Sequence, residues 1–466
     1  MQPLDRRSLT ALVHRLHFYI GIFIAPFIFI AALTGFIYIL STQFEDIIYR
    51  DVLTTQPSGN SKPLSSQISA ARHYVGEQYF IHKVRPAPQP DETTYIQFMY
   101  PNLESEKLRT IFIDPYSLAI KADYFFSPVS GFLPTHTWLT KLHTELYLGS
   151  VGRHYSELAA SWLWVSAITG VILWINHRRK HLSRKKRSPF AFTRHWHITL
   201  GLLLFLGMLF MSVTGLTWSK WAGDNINALR TSFDWLTPQL NTKLKSENEA
   251  VISSHNHGDH QHEDHNHKGL QSQNSASNIN KPDLDWEIVL YQARRNGIKA
   301  DNVEIRQPKT ASDAWTITEN KRDWPTQVDA IAINPHDYKV IDHIYFDNFP
   351  MMAKLTRWGV DAHMGKLFGM ANRLLLLGFT FCICCLLLLG YRMWWIRRPS
   401  RPQNNPLSTL TACWLSLSIP WQLLIVTLTI MLGYCLPVLG ASLLVFLFID
   451  VLLWKKHKKI TNVFPQ

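Results

Sequence analysis

Cysteine is scarce in this chain of 466 residues: there are five, Cys382, Cys384, Cys385, Cys413 and Cys435. All five fall in long apolar runs, so the polar stretches must fold without disulfides even in an oxidising compartment. No CxxCH is present, which excludes covalent attachment of a c-type haem, and no nucleophile motif is present either. Acidic residues are also few, with 34 Asp and Glu against 47 Lys and Arg, a formal charge of +13. Such a balance admits nucleic acid as a partner until the positions of the charges are read.

What the sequence has in plenty is apolar residues, 47% of the total, sorted into long runs between polar stretches. That segregation marks a membrane protein. Crossing a bilayer core takes about 20 apolar residues in helical form. Runs of that kind lie at 18–40, 156–175, 198–218 and 374–396, and a longer block at 411–454, interrupted by Gly433 and Pro437, reads as a hairpin of two more. Six spans are expected. The first is a retained span and not a cleaved signal, because no small-residue cleavage site follows it and Gln43, Glu45 and Asp46 come next. The basic residues gather in short links: Arg178, Arg179, Lys180, Arg184, Lys185, Lys186 and Arg187; Arg392, Arg397, Arg398 and Arg401; and the tail from Lys455 to Lys459. The positive-inside rule puts these links and both termini in the cytoplasm, and the large loops 41–155 and 219–366 outside. The charge therefore reports topology in a lipid bilayer, not binding to nucleic acid.

The chain also repeats itself. Residues 143–153 read HTELYLGSVGR and residues 363–373 read HMGKLFGMANR, sharing the first histidine, the glycine and the last arginine at an offset of 220. The same offset pairs Ile113-Asp114-Pro115 with Ile333-Asn334-Pro335, Trp138 with Trp358, Gly170 with Gly390, Trp174 with Trp394 and Arg178 with Arg398. An offset of 180 pairs His17 with His197, Gly21 with Gly201, and Thr34-Gly35 with Thr214-Gly215. Each half is span, outer domain, span, starting from the same side. The expected fold is a mainly α membrane protein: a pseudo-two-fold four-helix bundle with two outward-facing α+β domains and an extra C-terminal hairpin. Its segments are a first span in 1–40, an outer domain in 41–135, a pre-membrane helix and span in 136–176 and a basic loop in 177–194. A third span follows in 195–218, a second outer domain in 219–350, a pre-membrane helix and span in 351–396 and the hairpin in 411–454. In the first domain 66–79 has helical spacing and 94–100 and 109–113 read as strands; in the second, 284–295 is the helix and 301–306, 313–318, 328–333 and 339–346 the strands. A Ser-, Asn- and His-rich insertion at 241–282 has no counterpart in the first half and is expected to be disordered.

Histidine near a bilayer needs a reason to be there. His17 and His197 stand at the inner ends of spans one and three, His143 and His363 just outside spans two and four. A single such histidine is more simply an interfacial anchor; recurrence at both offsets favours a ligand role. Four symmetric imidazoles make two bis-histidine sites, and the cofactor that suits them is b-type haem, two copies, with apolar macrocycles packed between helices. Zinc or copper usually recruits Cys or carboxylates as well. At about 1.5 Å per residue, His17 lies about 35 Å from Leu40, so the two sites sit near opposite faces. His14, His177 and His195 are second choices at the inner face, because their repeat partners are Arg194, Arg397 and Arg15; His136 and His154 are weaker outer candidates. Arg153 and Arg373 are candidates to pair with haem propionates, as guanidinium matches a carboxylate fork. The tract His255, His257, His260, His262, His265 and His267 suits weak binding of divalent metals. Thr34-Gly35 and Thr214-Gly215 read as close helix packing, without chemistry.

The stretches HRLHFYIG with its later Thr-Gly, and LHTELYLGSVGR followed by TGVILWINHRR, resemble the signature of the PepSY-associated transmembrane family, over residues 10–400. The resemblance implies PepSY-like outer domains, an iron-regulated inner-membrane protein, and similarity to bacterial ferric-siderophore reductases that carry two b haems. His17, His143, His197 and His363 match the family's repeated histidines. The implied activity is an oxidoreductase taking electrons from a quinol or a cytoplasmic donor to a ferric siderophore or other ferric chelate on the periplasmic side. The rival expectations are a membrane-anchored module that binds a protein partner, and a siderophore or metal transporter.

Overall fold

The computed structural model describes residues 3–100, 108–126, 133–178, 188–244, 285–398 and 409–463. Its helices are α1 (Pro3–Tyr19), a π-helical turn (Ile20–Ile24), α2 (Ala25–Ile48), α3 (Arg50–Leu53), α4 (Leu64–Val75), α5 (Pro134–Glu145), α6 (Gly149–Arg178), α7 (Pro189–Leu216), α8 (Trp221–Ser232), α9 (Asp285–Arg295), α10 (Met351–His363), α11 (Gly369–Ile396), α12 (Leu410–Leu415), α13 (Ile419–Cys435) and α14 (Pro437–Val463). Its strands are β1 (Ile81–Arg85), β2 (Thr94–Met99), β3 (Leu108–Ile113), β4 (Ile120–Phe126), β5 (Val303–Arg306), β6 (Trp315–Glu319), β7 (Ala330–Ile333) and β8 (Val340–Ile344). These form two compact units: one of Met1–Leu40, Leu139–Leu236 and Leu355–Gln466, the other of Ser41–Trp138 and Thr237–Lys354.

The first unit is the membrane protein that the apolar runs announce. Asp5–Glu45, Gly149–His177, Gly369–Ile396 and Pro437–Lys456 are each long and apolar enough to cross a membrane, and Pro189–Leu203 with Phe205–Leu216, bent by 56°, makes a fifth such span. The first arm of the hairpin, α13, has 17 residues and falls short of that length. The core of the unit joins Ile20, Ile24, Trp162, Leu204, Met208, Ile383 and Leu386 to Leu439 and Phe446 of α14. Lipid gives apolar side chains no reason to turn inward, so residues such as Leu203 and Leu206, each 74% exposed, face out. Polar contacts add specificity between helices: Ser212 Oγ donates to the Ala160 carbonyl at 2.6 Å and Trp162 Nε1 to Ser442 Oγ at 2.8 Å. The first and third spans are both interrupted soon after their inner histidine. The π turn covers Ile20–Ile24, and the bend of α7 falls at Leu204, which is residue 24 shifted by 180. π-bulges and kinks of this kind redirect the face that a helix presents.

In the second unit the order of strands is β4-β3-β2-β1-β5-β6-β7-β8, antiparallel throughout. Where the sequence presents two α+β units, the structure joins them into one eight-stranded sheet. The junction is the Val84↔Ile305 pair between β1 and β5. Apart, each half would leave a long unpaired edge strand; pairing the two edges removes both. α4 and α9 lie on one face, and a single core runs through both halves, from Ile68, Ile96 and Ile111 to Trp286, Ile305 and Ile331. On the other face, Glu304 takes hydrogen bonds from Lys83 Nζ at 3.1 Å and Tyr95 Oη at 3.3 Å, tying the halves side by side. Burial opposes ionisation of Glu304, but Lys83, Arg306 and Arg85 outweigh it and hold its carboxyl below the usual range. The expected strands are all present, with β1 and β4 in addition.

Two boundaries differ from expectation. Residues up to Leu236, including α8, belong to the membrane unit and not to the outer domain. Asn225 on α8 donates to the carbonyls of Tyr434 and Cys435 at 3.0 and 3.1 Å, which fixes α8 on the turn of the hairpin. The insertion begins in ordered structure: Lys243 bridges to Asp313, and Leu244 N–H donates to the Ser312 carbonyl.

Candidate functional site

The glycine of the opening repeat has a conformational role. Gly149 and Gly369, six residues after His143 and His363, have φ of 56° and 53°, a left-handed conformation that costs a residue with a Cβ. They turn the chain from α5 into α6 and from α10 into α11, so each outer histidine ends a pre-membrane helix directly before a span.

All four recurring histidines are held in the same chemical way. His143 Nδ1 lies 3.0 Å from Thr34 Oγ1, His363 Nδ1 2.7 Å from Thr214 Oγ1, and His17 Nδ1 3.0 Å from Thr169 Oγ1. Each of those hydroxyls already spends its proton on a carbonyl four residues back in its own helix, at 2.8, 2.8 and 2.7 Å to Ile30, Phe210 and Val165. The hydroxyl must therefore accept, and the imidazole must carry its proton on Nδ1. His197 reaches the same state without a hydroxyl, because its Nδ1 lies 3.0 Å from the Leu386 carbonyl, which can only accept. In every case Nε2 is left with a free lone pair, the form in which a neutral histidine binds a metal, with the Nδ1 partner fixing tautomer and ring orientation. Burial pushes His143 and His363 down to about 4, His363 further opposed by the nearby His143, so both are neutral at physiological pH.

The two rings of the inner pair lie close together. The rings of His17 and His197 are 6.5 Å apart between centres, with an interplanar angle of 77°. Glycines floor three of the rings: a Cβ on Gly35 would meet His143 Cε1 at 3.3 Å, on Gly170 His17 Cε1 at 3.3 Å, and on Gly390 His197 Cε1 at 3.5 Å. Beside His17, a Cβ on Gly21 would meet nothing within 4 Å. His17 and the Thr34 that holds His143 are 17 residues apart on one span, about 25 Å at ~1.5 Å per residue. The carbonyls next to the outer histidines are also tied down, that of His143 by Tyr155 Oη at 2.7 Å and that of Ala362 by Asn372 Nδ2 at 2.9 Å.

The Thr-Gly pairs thus correct the reading that gave them packing alone. Thr34 and Thr214 orient the outer histidines, and Thr169-Gly170 does the same for His17. Recurrence of Thr-Gly at an offset of 180 was the available signal. Tyr155 and Asn372 left none, since they do not stand at equivalent positions.

The second-choice residues have other partners. His14 and His195 are exposed, His195 lying edge-on to its neighbour Trp196. His177 turns Nδ1 to the Leu173 carbonyl of its own helix at 2.8 Å. His154 has both ring nitrogens engaged, Nδ1 with the Ser150 carbonyl and Nε2 with Trp221 Nε1. His136 Nδ1 lies 3.6 Å from the Glu45 carboxylate. Arg153 donates to the Trp218 carbonyl at 2.9 Å, capping the end of the third span, and the stem of Arg373 packs by Gly365. The tract from His255 to His267 lies outside the described residues. Among the described residues no three or more His, Cys, Asp or Glu gather as metal ligands.

The model described as the PepSY-associated TM region matches residues 14–397, which contain all four histidines and end before the hairpin. No curated protein matches the sequence.

Proposed function

The chain belongs to the family of PepSY-associated TM regions, and from that premise we propose that it is a haem b-binding reductase of the bacterial inner membrane that reduces ferric siderophores, or other ferric chelates, on the periplasmic side. His17 and His197 would hold one haem, His143 and His363 a second. Haem bound at these pairs supplies one-electron transfer between the two faces. The substrate's Fe(III) becomes Fe(II), which siderophores bind far more weakly, so a single electron releases the metal. The donor is a membrane quinol or a cytoplasmic reductant.

The chain's own residues do three things for this chemistry. Thr34, Thr169, Thr214 and the Leu386 carbonyl keep the Nδ1 protons in place and the Nε2 lone pairs available. The glycines let three of the rings come close to neighbouring helices. Ile20, Ile24, Trp162 and Leu386 supply an apolar surround that keeps water out. The repeats support a parallel duplication about an axis along the membrane normal, and the basic links support cytoplasmic termini with the sheet unit in the periplasm.

The observation that carries the reading is the inner pair. A bond from a first-row metal to imidazole is about 2 Å, so two of them plus two ring radii of about 1.2 Å separate ring centres by about 6.4 Å. The observed separation is 6.5 Å. Two lone ligands suit a metal that brings four nitrogens of its own. The test is the absorption spectrum of purified protein: a Soret band with sharp α bands after dithionite, reoxidised by a ferric siderophore. A colourless preparation refutes the reading and favours a sheet module that binds a protein partner, or a transporter.

A further inference from the structure

The C-terminal hairpin lies beyond residue 397, outside the family match, and nothing so far gives it a task. It is nonetheless bonded to the first span through two buried carboxylates. Asp450 on α14 is fully buried and its carboxylate accepts four hydrogen bonds: from Tyr19 Oη at 2.6 Å, Leu410 N–H at 3.0 Å, Thr411 N–H at 2.7 Å and Thr411 Oγ1 at 2.7 Å. Three of these cap the start of α12. The fourth reaches Tyr19, two residues from His17 and directly before the π turn. A second carboxylate does the reverse: Asp5 on α1 takes Ser418 N–H at 2.9 Å and Ser418 Oγ at 3.0 Å at the start of α13. Apolar contacts complete the attachment, with Phe446 of α14 against Phe23 and Trp162.

A π turn replaces i→i−4 with i→i−5 hydrogen bonding, as Ala25 N–H does to the Ile20 carbonyl, and so shifts the azimuth of the helix on one side of it relative to the other. Here that shift lies between His17 and the rest of the span, so the azimuth of His17 is set by what holds the segment before the turn. We infer that the hairpin is a brace for the inner histidine pair, with Asp450 a positioning residue that acts on His17 through Tyr19. This rests on the proposed haem reading. Asp450 touches neither histidine; it fixes the opposite side of the helix that carries His17, while Thr169 and His197 face the inner side.

Two variants separate bracing from capping. Tyr19→Phe removes only the link and leaves the three capping bonds to Asp450 intact, whereas Asp450→Ala removes all four. In the full-length protein carrying its pigment, the expectation for both is a changed low-spin electron paramagnetic resonance signal and a shifted midpoint potential for one of two haems, the other unchanged. Wild-type signals at both haems in Tyr19→Phe overturn the brace, and so does an effect confined to Asp450→Ala, which would make Asp450 a cap alone. A wild-type preparation without pigment refutes the haem reading on its own. In that case amide hydrogen exchange over residues 15–24 decides: faster exchange in Tyr19→Phe supports the brace, and unchanged exchange overturns it.

Discussion

Replacing Thr34 with Val removes one oxygen and keeps the shape, which makes it the sharpest test of how the outer site is organised. Thr34 is 6% exposed, so no water can step in for the hydroxyl. His143 Nδ1–H then loses its 3.0 Å partner and is left with only its contact to the Ala31 carbonyl. A buried donor left poorly satisfied costs about 1–3 kcal/mol. The ring can escape that cost by moving its proton to Nε2, but Nε2 then has no lone pair to offer. Either way the binding of a ligand at Nε2 weakens by about the same amount, roughly 10–100-fold, the usual range for loss of a partner behind a metal-binding histidine. The assay is haem titration of the depleted protein, followed at the Soret band. One of two binding steps should weaken by that factor, and Thr34→Ser, which restores the hydroxyl, should recover most of it. Equal affinities for wild type and Thr34→Val would refute both the tautomer assignment and the ligand role of His143.

The other expectations follow the same logic. Gly170→Val places branched bulk where even a Cβ would sit 3.3 Å from His17 Cε1, so pigment at the inner site should be lost, while Gly21→Ala, with nothing within 4 Å, should bind as wild type; pigment per protein measures both. Glu304→Ala leaves Lys83 buried without its 3.1 Å partner at the seam of the sheet and should destabilise the sheet unit by about 3 kcal/mol, read from the melting of its circular dichroism. Burial, with Arg306 and Lys83 nearby, pushes His82 down to about 4 from 6.5, so between those values the unfolded chain binds the extra proton. Stability of the sheet unit should thus be fullest above pH 6.5 and decline by on the order of 2 kcal/mol as pH falls toward 4, and His82→Asn should flatten that decline. Glu304 acts lower still: its folded value is depressed below 4.5, so its contribution persists above pH 4.5 and disappears only as pH falls through the depressed value.

Apolar runs and repeat offsets made the spans, the outer histidines and most strands legible, because bilayer thickness and alternating burial write themselves into local sequence. What the sequence hid depends on contacts distant along the chain. β1 and β5 pair across more than 200 residues, and nothing in IHKVR or VEIR says that their free edges belong to each other. Thr34 reads as a small packing residue until His143, 109 residues away, is seen against it. That Arg153 also reaches the Trp218 carbonyl, 65 residues away, leaves no mark in the sequence around it. The π turn is invisible in IGIFI, since an extra residue in a turn leaves no mark on hydrophobic periodicity.

The offsets also show where the halves stop being equivalent. Thr169 shifted by 220 is Leu389, so the fourth histidine finds no hydroxyl. His197 turns instead to the Leu386 carbonyl, the counterpart of the Ser166 carbonyl that Thr169 contacts through its own hydroxyl. A main-chain carbonyl is a stronger acceptor than a hydroxyl and cannot rotate away, so it makes the imidazole that donates to it a more basic ligand. Under the proposed function both inner histidines then reach a main-chain carbonyl, His197 that of Leu386 and His17 that of Ser166 beside its hydroxyl, whereas in the outer site His143 reaches the Ala31 carbonyl and His363 is held by the Thr214 hydroxyl. More basic ligation favours ferric over ferrous iron, which lowers potential. The inner site should accordingly titrate at the lower potential of the two, the order that moves electrons outward, and Leu389→Thr, which offers His197 the missing hydroxyl, should narrow the gap between them in a redox titration.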